Sequence, residues 1–229
     1  MGLLTSRGCP YKCSYCFNWE IVEQYMDDGG AKSPRDYLRH YEIDRVLDEV
    51  RLLQRKHPHM STLIFDDDLF TLNKNYVKEF SAAYKKSGIG LPFVVNAHVQ
   101  TFDRDVARAL KEAGCMIVKF GVESGNEWVR KNVLYRYMNN ERIIDAFAAA
   151  HEFDVHSSAF VMLGLPHEKT EHIYDTMKLC ADSKMGRFRW AIFYPFPGTA
   201  GYRIAKEADL IDREKMARMG NYFDASCLK

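Results

Sequence analysis

The sequence lacks the features that mark several large classes of protein. No apolar run is long enough to cross a bilayer, and the start MGLLTSRGCP turns polar too early for a secretory signal peptide. We therefore expect a cytoplasmic protein without a membrane partner. The formal charge over 229 residues is only +1, so no overall basic field suggests a nucleic-acid partner. No linker or low-complexity run divides the chain, and we expect a single domain over residues 1–229.

Cysteine is scarce, but three of the six cysteines lie in one short loop: Cys9, Cys13 and Cys16. In a reducing compartment such thiols are more often metal ligands than disulfides. Three thiolates are one ligand short of a closed zinc or iron–sulfur site, and an open metal position is where chemistry occurs. The other three cysteines are scattered, and we interpret them as incidental thiols: Cys115, Cys180 and Cys227.

A zinc-holding loop is the alternative interpretation of these three thiols. It requires a fourth ligand, and no Cys or His follows at zinc-finger spacing. His57 and His59 are the nearest candidates, and they come after a long helical stretch. The corresponding functional alternative is a non-catalytic iron–sulfur or zinc-binding protein.

Apolar runs and helical periodicity alternate along the chain at intervals of roughly thirty residues. Strands are predicted at 2–5, 62–65, 92–95, 115–120, 156–163 and 188–194, and helices at 36–57, 73–88, 103–114, 140–150, 170–184 and 200–208. This alternation predicts an α/β fold with parallel strands inside and helices outside. Six units favour a partial (β/α)6 TIM-like barrel, and an open doubly wound sheet is the alternative.

Polar residues follow the predicted strands at the ends where parallel α/β folds bind ligands. The cysteine loop follows the first strand, 66–68 the second and Glu123 the fourth. Asn96 and His98 follow the third strand, and 195–199 follow the sixth. The sequence therefore predicts that these residues meet at a single site.

The spacing of Cys9, Cys13, Tyr15 and Cys16 resembles the signature of the radical S-adenosylmethionine (radical SAM) enzymes. The resemblance implies that the three cysteines hold a 4Fe–4S cluster whose fourth iron chelates the amino and carboxylate groups of SAM. It also implies that an electron from the cluster cleaves SAM to a 5′-deoxyadenosyl radical. Tyr15, directly before the third cysteine, is expected beside the adenine.

The same resemblance suggests further contacts to SAM. Glu123 lies in a GxESG run and is expected at the ribose or amino group, or else as a cap of the next helix. Asp67 lies where many family members carry Gly-Gly-Glu, so an ammonium contact there competes with a solvated turn. The remaining expected contacts are Asn96 and His98 at the SAM carboxylate or substrate, Ser158 on a lumen-facing strand, and Tyr194 and Pro195 beside the adenine.

Five motifs together resemble the cobalamin-binding group of the superfamily: TSRGCPYKCSYCFN, FDDDLFT, VNAHVQTFD, FGVESG and YPFPGT. That group carries a cobalamin domain before the barrel, which this sequence does not include. The resemblance implies a truncated radical SAM core, or a stand-alone barrel that obtains cobalamin through a separate domain or partner. It also implies a small-molecule substrate and a reducing donor such as flavodoxin or ferredoxin. The reaction would be methyl transfer, cyclisation or another radical-initiated modification, and a catalytically inactive fragment is the remaining alternative.

Overall fold

The computed structural model describes residues 2–220 and 225–229. Its strands are β1 (Gly2–Leu3), β2 (Ser6–Arg7), β3 (Arg39–His40), β4 (Leu63–Phe65), β5 (Phe93–Ala97), β6 (Cys115–Glu123), β7 (His156–Leu163) and β8 (Arg187–Ile192). Its helices are α1 (Phe17–Asp27), α2 (Pro34–Tyr37), α3 (Ile43–Lys56), α4 (Lys74–Lys86), α5 (Arg104–Glu112), α6 (Glu127–Asn132), α7 (Asn140–Glu152), α8 (Thr170–Asp182), α9 (Ala200–Glu207) and α10 (Arg213–Arg218), with a 3-10 turn at Val99–Thr101. None of the helices in these ranges has both the length and the apolar character needed to span a membrane.

Six strands form one parallel sheet in the order β1-β4-β5-β6-β7-β8. Each strand of this sheet pairs with the member of the sheet that follows it along the chain. A doubly wound sheet instead reverses its strand order at a switch point. The predicted partial barrel is therefore confirmed, and the doubly wound alternative is wrong. Within the part of the chain that the structure describes, β1 and β8 do not pair with each other, so the barrel is open between them.

The segment after the cysteine loop differs from the prediction. Residues 6–7 and 39–40 form a small antiparallel pair, with Ser6 opposite His40 and Arg7 opposite Arg39. Pro34 begins the short helix α2, which Ser33 and Asp36 cap, so the helix predicted over 36–57 begins only at Ile43. Helix α1 was not predicted, because only one of its side chains, that of Val22, is buried and the apolar periodicity is weak.

Strand β6 shows how the two faces of the sheet are used. Val118, Phe120 and Val122 are fully buried and belong to the core packed against the helices. The alternate residues Lys119 and Gly121 point into the barrel, as the two-residue period of a strand requires. The strand runs to Glu123, three residues beyond the predicted end. Glu123 therefore projects into the barrel from the strand itself.

We expect Phe65→Ala to lower the free energy of unfolding by about 3–5 kcal/mol, the usual cost of deleting a buried aromatic ring. Phe65 is fully buried, and its ring centroid lies 5.2 Å from that of Phe80 and 5.3 Å from that of Phe93. Urea unfolding of the two proteins measures the difference. Leu52→Ala is the control, since Leu52 is 40% exposed, and a loss of equal size there would contradict this assignment of the core.

Candidate active site

The cysteine loop begins with a backbone turn that requires glycine. Gly8 has φ +86°, and a Cβ there would lie 2.7 Å from the ring of Tyr37. The chain then turns again where the Cys16 N–H donates to the Cys13 carbonyl at 3.0 Å. Cys16 caps α1, its sulfur accepting the Asn18 N–H at 3.5 Å. The three cysteines are thus held on one tight loop at the start of a helix.

Ser14 fixes this loop to two distant parts of the chain. Its N–H donates to the Leu134 carbonyl at 3.0 Å, and its hydroxyl donates to the Val133 carbonyl at 2.5 Å. Its own carbonyl accepts the Gly201 N–H, at the start of α9, at 2.6 Å. Both Ser14 and Val133 are buried, so these hydrogen bonds are shielded from water. The position of the cysteines therefore depends on the folded barrel as a whole.

A cavity of about 550 Å³ lies beside the cysteine loop, at the carboxyl ends of the strands. It is lined by Cys9, Tyr11, Cys13, Tyr15, Cys16, Asn18, Ile64, Asp66, Asp68, Leu69, Asn96, Ala97, His98, Lys119, Gly121, Glu123, Arg136, Phe160 and Arg189. The residues that follow β1, β4, β5 and β6 therefore do meet at one site. The volume is in the range of small-molecule and cofactor pockets.

The three thiols provide sulfur donors of the kind that hold an iron–sulfur cluster. Within the described ranges, no three His, Cys, Asp or Glu side chains are gathered closely enough to hold one ion. Burial raises the pKa of Cys9 to about 12, and the proximity of Cys13 and Cys16 adds to the increase. Burial also raises the pKa of Cys16. Because three thiolates here repel one another in a poorly solvated site, a cationic cluster is a suitable counter-charge.

All six cysteines are free thiols. Cys115 and Cys227 are buried and Cys180 is half-buried, and none of the three lines the cavity. The interpretation of these three as incidental thiols is consistent with their positions.

Glu123, Tyr15 and Arg136 form a buried polar group beside Cys13. The Tyr15 hydroxyl donates to Glu123 Oε1 at 3.0 Å. Arg136 donates from Nη1 to Cys13 Sγ and to the Tyr15 oxygen, both at 3.4 Å, and from Nη2 to the Gly121 carbonyl. Burial raises the pKa of Glu123, while Arg136 and Tyr15 act in the opposite direction. Burial lowers the pKa of Arg136, but Tyr15, Cys13 and Glu123 outweigh it and raise that pKa, so the guanidinium stays charged.

The backbone around Glu123 is specialised for this arrangement. Glu123 has φ +68°, a left-handed conformation that is uncommon for non-glycine residues. A Cβ on Gly121 would lie 2.6 Å from Glu123 Oε1, so only glycine leaves room for the carboxylate. Asn126, not Glu123, caps α6 by accepting the Val129 N–H, which excludes the alternative role of Glu123 as a cap. Gly125 makes its close approach to the backbone of α8 rather than to the cavity.

The acidic run after β4 divides between the cavity and the interior. Asp66 and Asp68 line the cavity, and Asp68 Oδ2 accepts the Gly8 N–H at 3.2 Å. Asp67 is fully buried outside the cavity, where its Oδ1 accepts hydrogen bonds from the backbone and hydroxyl of Thr5 and from the hydroxyl of Ser6. In this position the Asp67 carboxylate supports the chain that leads into the cysteine loop, and its expected contact with SAM stays a prediction.

Asn96 and His98 both line the cavity. The Asn96 amide donates to the Asp67 carbonyl at 2.9 Å, which leaves its oxygen available. The ring of His98 stacks on that of Tyr11 at 4.1 Å, so the cysteine loop also contacts the end of β5. Burial lowers the pKa of His98 to about 3, with Arg136 and Arg142 adding to the effect. His98 is therefore neutral and acts as a polar wall of the cavity.

Three further expected contacts lie outside the cavity lining. Ser157 contacts His151 Nε2 at 3.1 Å and so faces the helices, which places Ser158 and Phe160 on the barrel side of β7. Phe160 lines the cavity, whereas Ser158, two residues earlier on the strand, does not. The lining also lacks Tyr194, whose ring lies 4.8 Å from that of Phe196, and the buried Pro195. Their expected contact with the adenine stays a prediction.

A comparison with protein families matches residues 3–180 to the Radical SAM superfamily. The chain belongs to the radical SAM superfamily. The match begins at β1, includes the whole cysteine loop and extends into α8, so it covers most of the barrel.

Among individual proteins, the chain is similar to a methyltransferase and a cyclase. The chain is 29% identical to an uncharacterised methyltransferase of Pyrococcus horikoshii over 91% of this chain and 42% of the relative. It is 24% identical to an anaerobic magnesium-protoporphyrin IX monomethyl ester cyclase of Rubrivivax gelatinosus over 92% of this chain and 36% of the relative. The chain thus spans less than half the length of these curated relatives.

The radical SAM barrel also matches solved structures. The methyltransferase TsrM of Kitasatospora setae, with cobalamin and a [4Fe-4S] cluster bound, superimposes with a TM-score of 0.74 at 19% identity. This alignment covers 92% of the present chain and 40% of TsrM. Coproporphyrinogen III oxidase of Escherichia coli, a radical SAM enzyme, gives a TM-score of 0.63 at 18% identity over 91% of this chain and 46% of the oxidase. At such identities the structural matches establish a shared fold.

Proposed function

We propose that this chain is a catalytic radical SAM domain that starts the modification of a small molecule. The observation that carries the proposal is that all three motif cysteines and Glu123 line one cavity at the mouth of the barrel. Cys9, Cys13 and Cys16 would hold a 4Fe–4S cluster, and the cavity beside them would hold SAM. When bound, these two groups supply an electron and a 5′-deoxyadenosyl radical.

The residues around the cavity have separate tasks in this proposal. Asp66, Asp68 and Glu123 provide carboxylate oxygens, which suit the ammonium and the ribose hydroxyls of SAM. Tyr15 occupies one of the Glu123 oxygens and orients the other, while Arg136 keeps positive charge beside Cys13. The neutral His98 and the amide of Asn96 add polar contacts without adding charge.

The reaction class that we propose is methyl transfer or cyclisation, since the named relatives are a methyltransferase and a cyclase. A cobalamin site would belong to another domain or a partner protein. An electron donor such as flavodoxin or ferredoxin, a cytoplasmic location and the organisation of residues 1–229 as a single radical SAM core all stay predictions.

An activity assay tests the proposal. The protein is reconstituted anaerobically with iron and sulfide and reduced, and SAM is then added. We expect 5′-deoxyadenosine from the wild type, measured by chromatography. Glu123→Gln should weaken SAM binding about tenfold, because it removes a charged acceptor whose hydrogen bonds contribute roughly 1.5–3 kcal/mol. Glu112→Gln is the matched control, since Glu112 is exposed on α5 and pairs with Lys85.

Two results would count against this assignment. One equivalent of zinc without sulfide in the purified protein would contradict the proposed function. An unchanged SAM affinity in Glu123→Gln, with the cluster intact, would contradict the role of that carboxylate alone.

A further inference from the structure

Two basic side chains enter the cavity from the strands opposite the acidic loop. Lys119 lies on β6 and Arg189 on β8, and both line the cavity. Neither forms an ion pair or hydrogen bond with any other residue that the structure describes. The other cavity cation, Arg136, is already engaged with Cys13, Tyr15 and Gly121. One wall of the barrel therefore carries two basic side chains that have no ion-pair partner among the described residues.

The strand register places these charges on either side of an aromatic ring. Lys119 pairs with Ser158 on β7, and two residues further along that strand Phe160 pairs with Arg189. Lys119 and Arg189 are separated by two strand spacings of about 4.8 Å each across the sheet and by two residues, about 6.6 Å, along it. Their backbone positions are therefore roughly 12 Å apart. Extended Lys and Arg side chains can bridge that gap to one ligand group. Phe160 lies between them and offers a flat apolar surface to the rest of the ligand.

Lys119 lies deeper in the barrel than Glu123, level with Asn96, its partner on β5. It precedes Glu123 by four residues on β6, which corresponds to about 13 Å along a strand. A SAM carboxylate bound beside the cysteine loop would have Arg136 as its adjacent cation. Lys119 is thus displaced along β6 from Glu123, and Arg189 lies two strands away on β8.

We propose that Lys119 and Arg189 bind an anionic group, a carboxylate or a phosphate-type group, on the substrate of this domain. The inference rests on the proposed function, because it assigns the substrate end of the same cavity. An Arg fork matches the paired oxygens of either anion, and Lys adds a point charge. Lys119 is half-buried and Arg189 is exposed, and an anion would give both side chains the charged partner that they lack among the described residues.

The test uses small anions, because the whole substrate is unidentified. The protein carries its cluster and saturating SAM but no reductant, so that SAM stays intact and occupies its own site. Methylphosphonate is titrated by phosphorus NMR and glutarate by saturation-transfer NMR, which distinguishes the two anion types. Glutaramide, which has the shape of glutarate without its charge, is the ligand control.

We expect the wild type to bind at least one of the two anions and not glutaramide. Lys119→Met and Arg189→Gln should each weaken that binding about tenfold, and Lys119→Arg should largely preserve it. Lys178→Met is the protein control, because Lys178 pairs with Asp182 on the outer surface of α8. This variant should bind the anions as the wild type does. Thermal melting of each variant identifies any loss of folding.

Three results would overturn the inference. They are the absence of anion binding to the SAM-loaded wild type, equal binding of glutaramide, and unchanged anion affinity in both neutralised variants. Weaker SAM binding in these variants, with anion affinity unchanged, would assign the two cations to SAM instead. Failure of the proposed function is a separate result, because it appears as missing 5′-deoxyadenosine from the reduced wild type.

Discussion

Cys13→Ala is expected to abolish cluster assembly, with SAM cleavage falling by more than about 100-fold. Even the loss of a group that merely orients a metal ligand costs roughly 10–100-fold in affinity or activity, and here a ligand itself is removed. The substitution also removes the sulfur that Arg136 contacts, so a buried cation loses a hydrogen-bonding partner. Iron and sulfide analysis, visible absorbance and 5′-deoxyadenosine production measure the effect.

Cys180→Ala is the matched control for this prediction. Cys180 is a half-buried thiol on α8, away from the cysteine loop. We expect this variant to keep its iron, its sulfide and its SAM cleavage. A Cys13→Ala protein with full iron and sulfide content would show that the cluster is held elsewhere, and the proposed function would then fail.

Arg130→Met should lower the free energy of unfolding by about 3 kcal/mol, and hence the melting temperature by roughly 6–12 °C. Arg130 is fully buried, and its guanidinium donates to the carbonyls of Ser124 and Met138 and to the side chain of Asn140. Methionine fills much of the same space but donates no hydrogen bond. Three buried acceptors would therefore lose their partner, each at a substantial cost.

Arg130 also supports the site, because its guanidinium holds the carbonyl of Ser124. Ser124 directly follows Glu123, the residue with the left-handed backbone conformation. We expect weaker SAM binding in Arg130→Met at temperatures where the protein is still folded. Arg51→Met is the control, since Arg51 is on the surface and pairs with Asp48, and it should change stability by no more than about 0.5 kcal/mol. Equal melting temperatures for the two variants would refute the structural role of Arg130.

The parallel barrel could be predicted from the sequence because the signals for its strands and helices lie in short stretches of the chain. Each strand is a short apolar run, and helices such as α4 and α5 carry clear caps in Asn73 and Asp103. Their alternation then determines the parallel arrangement. The pairing of β2 with β3 was not predictable in this way, since each is two residues long and they are far apart in sequence.

The candidate site was predicted where it depends on strand ends and missed where it depends on packing. Cys9, Cys13, Cys16 and Glu123 follow or end strands, and all line the cavity. Arg136 comes from a turn after the six-residue helix α6, which is too short to show periodicity, so nothing in the sequence pointed to it.

The acidic run after β4 shows a second limit of sequence-based prediction. Three identical residues, 66–68, follow the strand, and only the folded backbone determines that the middle one turns inward. Two aspartates therefore belong to the cavity and one to the support of the cysteine loop. Their order along the chain carries no signal that separates these roles.

The hydrogen bond from Gly201 to Ser14 has a consequence for the biogenesis of this protein. The loop that would receive iron precedes most of the barrel along the chain, yet one of the hydrogen bonds that hold it comes from α9, which follows β8. During synthesis the thiols emerge first, while α9 is still to be translated. Iron and sulfide delivered after release from the ribosome would meet a cysteine loop that already has its hydrogen bond from Gly201. In a nascent chain the loop would still lack that hydrogen bond.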